Sequence, residues 1–583
     1  MNWRMTARRL ALPVLLSGLA AGAALVAAGC GSSTTSRPAG APSSGVTTPG
    51  QPAVAEKPAP PGALELVVAY GSEKKDWLTD VTNTFNQGRS TTPGGKPIFV
   101  RLVPMGSGES ISETMSGRLQ AHLLSPASAA FIAAGNDESR GKTGKDLVGP
   151  TRNLVLSPVV IAMWRPMAEA LGWPDKAVGW SDILALARDP KGWAGRDHPE
   201  WGSFKFGHTH PDYSNSGLGA LFAEVYAATG KVKGLTAEDV QDPKVGAFVG
   251  DIEKAVVHYG SSTGFFGDKM LQKGPQYLSA AVLYENLVIG SYAAQPPPVL
   301  PVVAIYPREG TFWADHPIGV VEREWVTPEH RAAAEQYIKF LLERPQQEKA
   351  LAHGFRPGDP GVALAAPVDA AHGVDPREPK TTLEVPGVRV MEAIRGLWAR
   401  HKKPAHVVLV FDTSGSMQQE RRMVNARPGA AQLVAMLGDE DTVSLLPFSD
   451  TLNWAEKAVP LKSGRERVTG RINGLIPQGG TALYDAIAAA YQFLQQDSAA
   501  GRITAVVVLT DGDDNKSKLS LDGLLQQVRF DAERSPTRIF TIGYGAEARK
   551  DVLKKIADAT EAKNFVGTPE NIREVFKEIA TFF

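Results

Sequence analysis

Asp412, Ser414 and Ser416 place one carboxylate and two hydroxyls within five residues, directly behind the apolar run His406 to Val410. That run reads as a buried strand, so the three oxygen donors sit where a strand gives way to a loop. Oxygen donors with little fixed charge suit a hard divalent cation such as Mg²⁺, which keeps some waters or an open position. Asp-Ser-Gly clusters are also ordinary turn formers, so the segment alone is ambiguous. Two later segments change that. Gly479-Gly480-Thr481 lies between helical patterns, and Val506-Val507-Val508-Leu509-Thr510-Asp511-Gly512 is a second apolar strand ending in an aspartate.

The elements that must position these residues follow a regular order. Strand candidates at 405–411, 441–448, 503–510 and 538–543 alternate with helical stretches at 418–437, 482–496, 519–533, 547–559 and 568–580. Such alternation predicts a mostly parallel sheet with helices on both faces. The donor residues fall just after strand C-terminal ends, where open α/β sheets place their ligands.

Together these segments resemble the von Willebrand factor type A domain and its metal-ion-dependent adhesion site, over roughly residues 404–583. The resemblance implies a Rossmann-like domain and one Mg²⁺ or Mn²⁺. It implies direct coordination by Ser414 and Ser416, with Thr481 joining in the ligand-competent state, and Asp412 and Asp511 acting mainly through bound water. It also implies a protein partner whose carboxylate fills the remaining position. Few fixed charges leave the cation electrophilic enough to take one more anionic oxygen.

At 583 residues the chain is too long for one ordinary core, and two or three domains are expected. Its 62 basic and 62 acidic side chains balance, which gives no footprint for nucleic acid. No G-x-x-x-x-G-K-[ST] loop or His-Glu-x-x-His helix occurs, and no catalytic constellation emerges. A binding protein rather than an enzyme is expected.

The single cysteine, Cys30, follows Arg4, Arg8 and Arg9, an apolar segment from Leu10 to Ala28, and Ala27-Ala28-Gly29. This reads as an export signal with small residues before the cleavage point. It resembles a bacterial lipoprotein signal over residues 1–30, which implies lipidation of Cys30 and anchoring at the outer face of the cell membrane. Ala27 stands where leucine is more usual. Arg8-Arg9 leaves the twin-arginine and general export routes both open. The apolar run approaches the length of a membrane span, but the adjacent cysteine and the Ser/Thr/Pro tract favour lipidation. Residues 31–62 are rich in Ser, Thr, Pro, Ala and Gly and read as a flexible tether.

The next region, 63–364, opens with a strand, Leu64 to Tyr70, a polar loop, a helix from Trp77 to Asn86 and a second strand, Ile98 to Met105. Leu154 to Trp164 is an apolar run suited to a strand crossing between two lobes. Phe206 to Asp212 leads into Ser214-Asn215-Ser216-Gly217 at a helix start. The region closes with a helical stretch, Pro328 to His353, and Gly354-Phe355-Arg356-Pro357. Polar loops at helix starts gather backbone N–H groups around ligands. In element order this region resembles the two-lobed bacterial extracellular solute-binding proteins. The resemblance implies a small-molecule solute and puts Ser107, Ser128, Ser157, Ser214, Asn215 and Tyr284 at its cleft, although such residues equally cap helices. Residues 365–403 read as a linker and a short helix, Val388 to Arg400.

Two other clusters have alternative readings. His208-x-His210-x-Asp212 on a strand would share one face and could hold a cation, or could be a polar loop. Trp193, Trp201, Phe204 and Phe206 could stack on a ligand, but pack a lobe in the first reading. The expectation is an exported, lipid-anchored binding protein with a Mg²⁺-dependent protein site and a solute-binding-like domain. The alternative is the solute receptor of an ABC-type transport system, with the adhesion-type domain as a docking module.

Overall fold

The structure, a computed structural model, describes residues 59–496, 501–529, 537–545 and 547–583. The predicted signal segment, Cys30 and almost all of the tether lie outside the described residues.

Two sheets divide residues 64–357. The first runs in the order Ile98–Met105, Leu64–Gly71, Leu123–Ser125, Pro317–Val321, Val148–Asn153. The second runs in the order Arg356–Pro357, Val155–Trp164, Ala280–Tyr284, Phe206–Gly207, with Val302–Ile305 and Trp313–Ala314 also on Val155–Trp164. Only Leu154 separates Val148–Asn153 from Val155–Trp164, so the chain passes from one sheet to the other through the long apolar run. Its residues from Val159 to Trp164 are buried, as expected for a strand covered on both sides. The helical stretch read as 328–353 is two helices, Pro328–Leu341 and Arg344–Ala352, with Pro345 in the first turn of the second.

The third sheet has the order Glu456–Pro460, Thr442–Phe448, Ala405–Asp412, Ile503–Thr510, Arg538–Tyr544, Asn564–Gly567. Every pair is parallel except the first. Alternation along the central strand feeds two cores. Val407, Leu409 and Phe411 join Ala430, Leu433 and Ile579 on one face. Val408 and Val410 join Ala486, Ile487 and Leu494 on the other. Strand order reverses at Ala405–Asp412, the switch point where an open parallel sheet leaves a crevice beyond its C-terminal ends.

Three elements of this sheet domain escape the sequence pattern. The helix Leu461–Asn473 carries Gly464 and Gly470 and buries only Leu461, Gly464, Val468 and Ile472. The edge strands Glu456–Pro460 and Asn564–Gly567 are short and largely polar or half-buried. The helix expected from 418 begins at Arg422, because Glu420 and Arg421 take left-handed φ values of 47° and 57°.

The stretch expected as a linker lies along the second sheet. Ala304 N–H donates to Gly373 O at 2.8 Å, and Leu383 N–H to Thr311 O at 2.9 Å. The helix Val388–His401 buries Met391, Ile394, Leu397 and Trp398, a stripe at helical spacing. The larger apolar cluster is continuous from Leu66 to Phe583. Where the third sheet domain meets the lobes, Tyr259 N–H donates to Phe582 O at 3.2 Å and Lys577 pairs with Glu113.

Candidate metal centre

Asp412 ends the central strand and Asp511 directly follows its neighbour Ile503–Thr510. Both are fully buried. Ser414 N–H donates to Asp412 Oδ1 at 2.7 Å, an Asx-type turn that brings both serines over the strand ends. Thr510 Oγ1 donates to Asp412 Oδ2 at 2.6 Å. The hydroxyls of Ser414 and Ser416 lie 3.0 Å apart, and Ser416 Oγ donates to Asp511 Oδ1 at 2.7 Å.

The third loop is bonded to the other two. Gly415 N–H donates to Gly479 O at 3.0 Å and Gln478 N–H to Thr413 O at 2.6 Å. Thr481 N–H donates to Asn515 Oδ1 at 3.0 Å, and Thr481 O accepts from Asn515 and Lys516. A side chain begun at Gly512 would lie 3.8 Å from Thr481 Oγ1 and 3.9 Å from Ser416 Oγ. Asp412, Ser414, Ser416 and Asp511 are thus linked by hydrogen bonds, and Ser416 and Thr481 both face the space beside Gly512.

These residues fit a hard divalent cation. Every donor is oxygen, and the 3.0 Å between the serine hydroxyls matches the edge of an octahedron with bonds of about 2.1 Å. Burial pushes the Asp412 carboxyl up to about 6 against hydrogen bonds from Ser414 and Thr510, as in a site short of positive charge. Arg422, absent from the sequence reading, supplies part of that charge. Its Nη1 donates to Asp511 Oδ2 at 2.9 Å, and it also pairs with Glu547 and Glu420.

The six cleft candidates of the first region are all partnered. Ser107 Oγ accepts from Ala127 N–H at 3.0 Å, and Ser128 caps the helix Ala129–Thr143 by accepting from Ala130 N–H. Ser157 Oγ donates to Asn286 Oδ1 at 3.1 Å. Ser214 Oγ lies 3.0 Å from Thr263 Oγ1, and Asn215 Nδ2 donates to Tyr284 OH at 3.0 Å. Between these groups lies a buried cluster that the sequence did not single out. Lys74 Nζ reaches Glu73 Oε1 at 2.7 Å and His316 Nδ1 at 3.1 Å, and Asn286 Nδ2 donates to Glu73 O. Burial would raise the Glu73 carboxyl, but Lys74 and His316 together bring it down to about 2.

His208, His210 and Asp212 do not converge. His208 points inward to Glu253, His210 packs its ring 4.7 Å from that of Trp398, and Asp212 faces Arg395 at 3.3 Å. Trp193 packs edge-on against Trp201 and Phe204, at 5.3 and 6.0 Å, within the lobe.

A family model of bacterial extracellular solute-binding proteins matches residues 66–356, and one of von Willebrand factor type A domains matches residues 406–579. An uncharacterized protein of Mycobacterium tuberculosis is 22% identical over 448 residues, 72% of this chain and 61% of that protein. The chain thus spans less than two thirds of that relative's length. Inter-alpha-trypsin inhibitor heavy chain H4 of Sus scrofa is 27% identical over 161 residues, 26% of this chain and 17% of that protein. Among solved structures, the periplasmic binding protein AfuA of Actinobacillus pleuropneumoniae aligns with a TM-score of 0.40 and 13% identity, over 58% of this chain and 99% of its own. A von Willebrand factor type A protein of Catenulispora acidiphila aligns with a TM-score of 0.27 and 22% identity, over 31% of this chain and 42% of its own. The chain joins a domain of the bacterial extracellular solute-binding protein family to a C-terminal von Willebrand factor type A domain.

Proposed function

We propose that this is an exported, lipid-anchored binding protein whose von Willebrand type A domain captures a protein partner through Mg²⁺ or Mn²⁺. The observation that supports this reading is the hydrogen-bonded chain of Asp412, Ser414, Ser416 and Asp511 beyond the ends of two adjacent parallel strands, with Thr481 beside Ser416 at Gly512. The bound cation would supply an electrophilic position for a partner's carboxylate. Ser414 and Ser416 would hold it directly, Thr481 would close the third side, and Asp412 and Asp511 would orient its waters. Asp412 and Asp511 are the acidic members, and Arg422 offsets one of them. The site therefore leaves charge on the cation for an incoming anion.

The solute-binding-like domain is assigned a supporting place in this reading. Ser107 and Ser128 accept from backbone N–H groups, Asn215 bonds Tyr284, Ser157 bonds Asn286 and Ser214 lies against Thr263, so each of the six already has a partner within the domain. Membrane attachment through Cys30 rests on the sequence. Among the described residues no helix is long and apolar enough to cross a membrane.

Calorimetric titration of Mg²⁺ and Mn²⁺ into the full chain, beside Asp412→Asn, tests the assignment. Saturable binding that the variant lacks, with Mg²⁺-dependent capture of a carboxylate-bearing protein ligand, supports it. Equal binding by a folded Asp412→Asn chain overturns it.

A further inference from the structure

The segment His208 to Asp212 carries one residue whose surroundings its neighbours do not share. His208 follows the short strand Phe206–Gly207, Glu224 lies in the helix Asn215–Thr229, and Glu253 ends the helix Pro243–Glu253. All three are fully buried, and one imidazole nitrogen and one oxygen from each carboxylate lie within 4.8 Å of one another.

The hydrogen bonds around them fix which atoms face inward. His208 Nδ1 lies 2.8 Å from the Thr209 carbonyl, which can only accept, so Nδ1 carries the hydrogen. That leaves Nε2 directed at Glu253 Oε1 at 3.0 Å. Nε2 meets that oxygen either as an imidazolium N–H donor or through a cation that replaces the proton. Tyr259 OH donates to Glu253 Oε2 at 2.6 Å, holding that carboxylate in place from behind. Glu224 is the decisive member. Neither of its carboxylate oxygens has a hydrogen-bond partner among the described residues. A buried carboxylate without a partner is strongly disfavoured, and a second carboxylate beside it adds repulsion. Mid-helix in an otherwise apolar stretch, it has no structural reason to be acidic.

We propose that His208 Nε2, Glu224 and Glu253 hold a divalent cation of the Mn²⁺–Zn²⁺ class inside the second lobe, separate from the adhesion-type site. Neutral imidazole and two carboxylates neutralise one divalent charge, and mixed nitrogen and oxygen donors suit this class better than Mg²⁺. The Thr209 carbonyl and the Tyr259 hydroxyl act as the outer shell that orients imidazole and carboxylate ligands. Donors in a tetrahedral zinc site lie about 3.4 Å apart, so His208 and Glu253 are already at ligand spacing and a small rotation of Glu224 completes the set. The ion pins the 206–210 segment to two helices. Through Tyr259, whose backbone N–H bonds Phe582 O, it also supports the seat of the C-terminal domain.

The full chain and Glu224→Gln, an isosteric neutral variant, are loaded with Zn²⁺ or Mn²⁺, desalted and measured for bound metal. Wild type retains one more equivalent than the variant, a difference to which the all-oxygen site contributes nothing. Equal retention overturns the proposal. Pulsed electron paramagnetic resonance of the Mn²⁺-loaded wild-type chain gives a second reading that needs no variant. Modulation from a directly bound nitrogen is expected, since among the described residues this is the one cluster that joins an imidazole to two carboxylates. A fully loaded chain showing oxygen-only coordination overturns the proposal, whether or not the adhesion-type site binds Mg²⁺.

Discussion

Both oxygens of Asp511 are engaged by residues that enter from the same stretch of chain: Ser416 Oγ donates to Oδ1 at 2.7 Å and Arg422 Nη1 to Oδ2 at 2.9 Å. The two donors are separated by the left-handed pair Glu420 and Arg421, which turns the chain so that serine and arginine approach one carboxylate. Arg422 thereby sets both the orientation of Asp511 and the charge of the candidate centre.

Arg422→Gln is expected to destabilise the metal-free chain by about 3 kcal/mol, the loss of one partner from a buried pair. The same change removes a positive charge beside the cation, so Mg²⁺ affinity should rise about tenfold, about 1.4 kcal/mol. Melting curves with and without Mg²⁺ read both effects. A variant that melts lower but gains no more from Mg²⁺ than wild type would show that Arg422 is structural only.

Gly479 takes φ +80°, and its carbonyl holds the Gly415 N–H. A Cβ there would meet Asp450 Oδ2 at 2.3 Å, a contact that a flexible side chain can relieve, but the left-handed backbone still costs about 1–2 kcal/mol. Gly479→Ala should therefore pull the Thr481 loop away from Ser414 and Ser416 and weaken Mg²⁺ binding by about tenfold. Unchanged affinity in calorimetry would remove Thr481 from the ligand set.

Asp412, Ser414, Ser416 and Asp511 stand out in the sequence because an apolar strand breaks into small oxygen-bearing residues, and Thr481 because a Gly-Gly pair interrupts two helical patterns. The parallel sheet was legible because its central strands are mostly apolar and alternate with helical stretches. Arg422 was not, because its role lies in a pairing 89 residues away, and Gln418 to Arg421 read as good helix formers. The Lys74–His316 contact spans 242 positions. His208 was noticed for the wrong neighbours. Strand periodicity pointed to His210 and Asp212, whereas Glu224 and Glu253 reach it from two helices. The helix Leu461–Asn473 was hidden by two glycines and four strongly basic residues around three large apolar ones.

Phe582 is buried against His258, Phe265 and Phe540, with ring centroids 5.6, 6.4 and 4.8 Å away. Phe582→Ala should cost about 3–5 kcal/mol. Because two of these partners belong to the solute-binding-like domain, the loss falls on the contact between domains. Calorimetric unfolding should separate into two transitions in the variant. One cooperative transition, merely shifted, would show that the Lys577–Glu113 pair and the neighbouring contacts suffice to couple them.

The same contact carries a pH dependence. Burial, with Arg538 and Lys269 nearby, lowers His258 to about 3, and its ring bonds the Tyr259 carbonyl and the Tyr277 hydroxyl. The unfolded chain takes up this proton near pH 6.5 and the folded chain only near 3. His258 thus favours the folded state fully above pH 6.5, and that contribution declines as pH falls, at about 1.4 kcal/mol per unit below 6.5. His258→Gln keeps a donor and an acceptor but no titration. Wild type should lose stability from pH 7 to 5 more steeply than the variant, by about 2 kcal/mol over that span. Other buried histidines titrate in both chains and cancel in the difference. Parallel curves would mean that His258 is reached by solvent and protonates in the folded state.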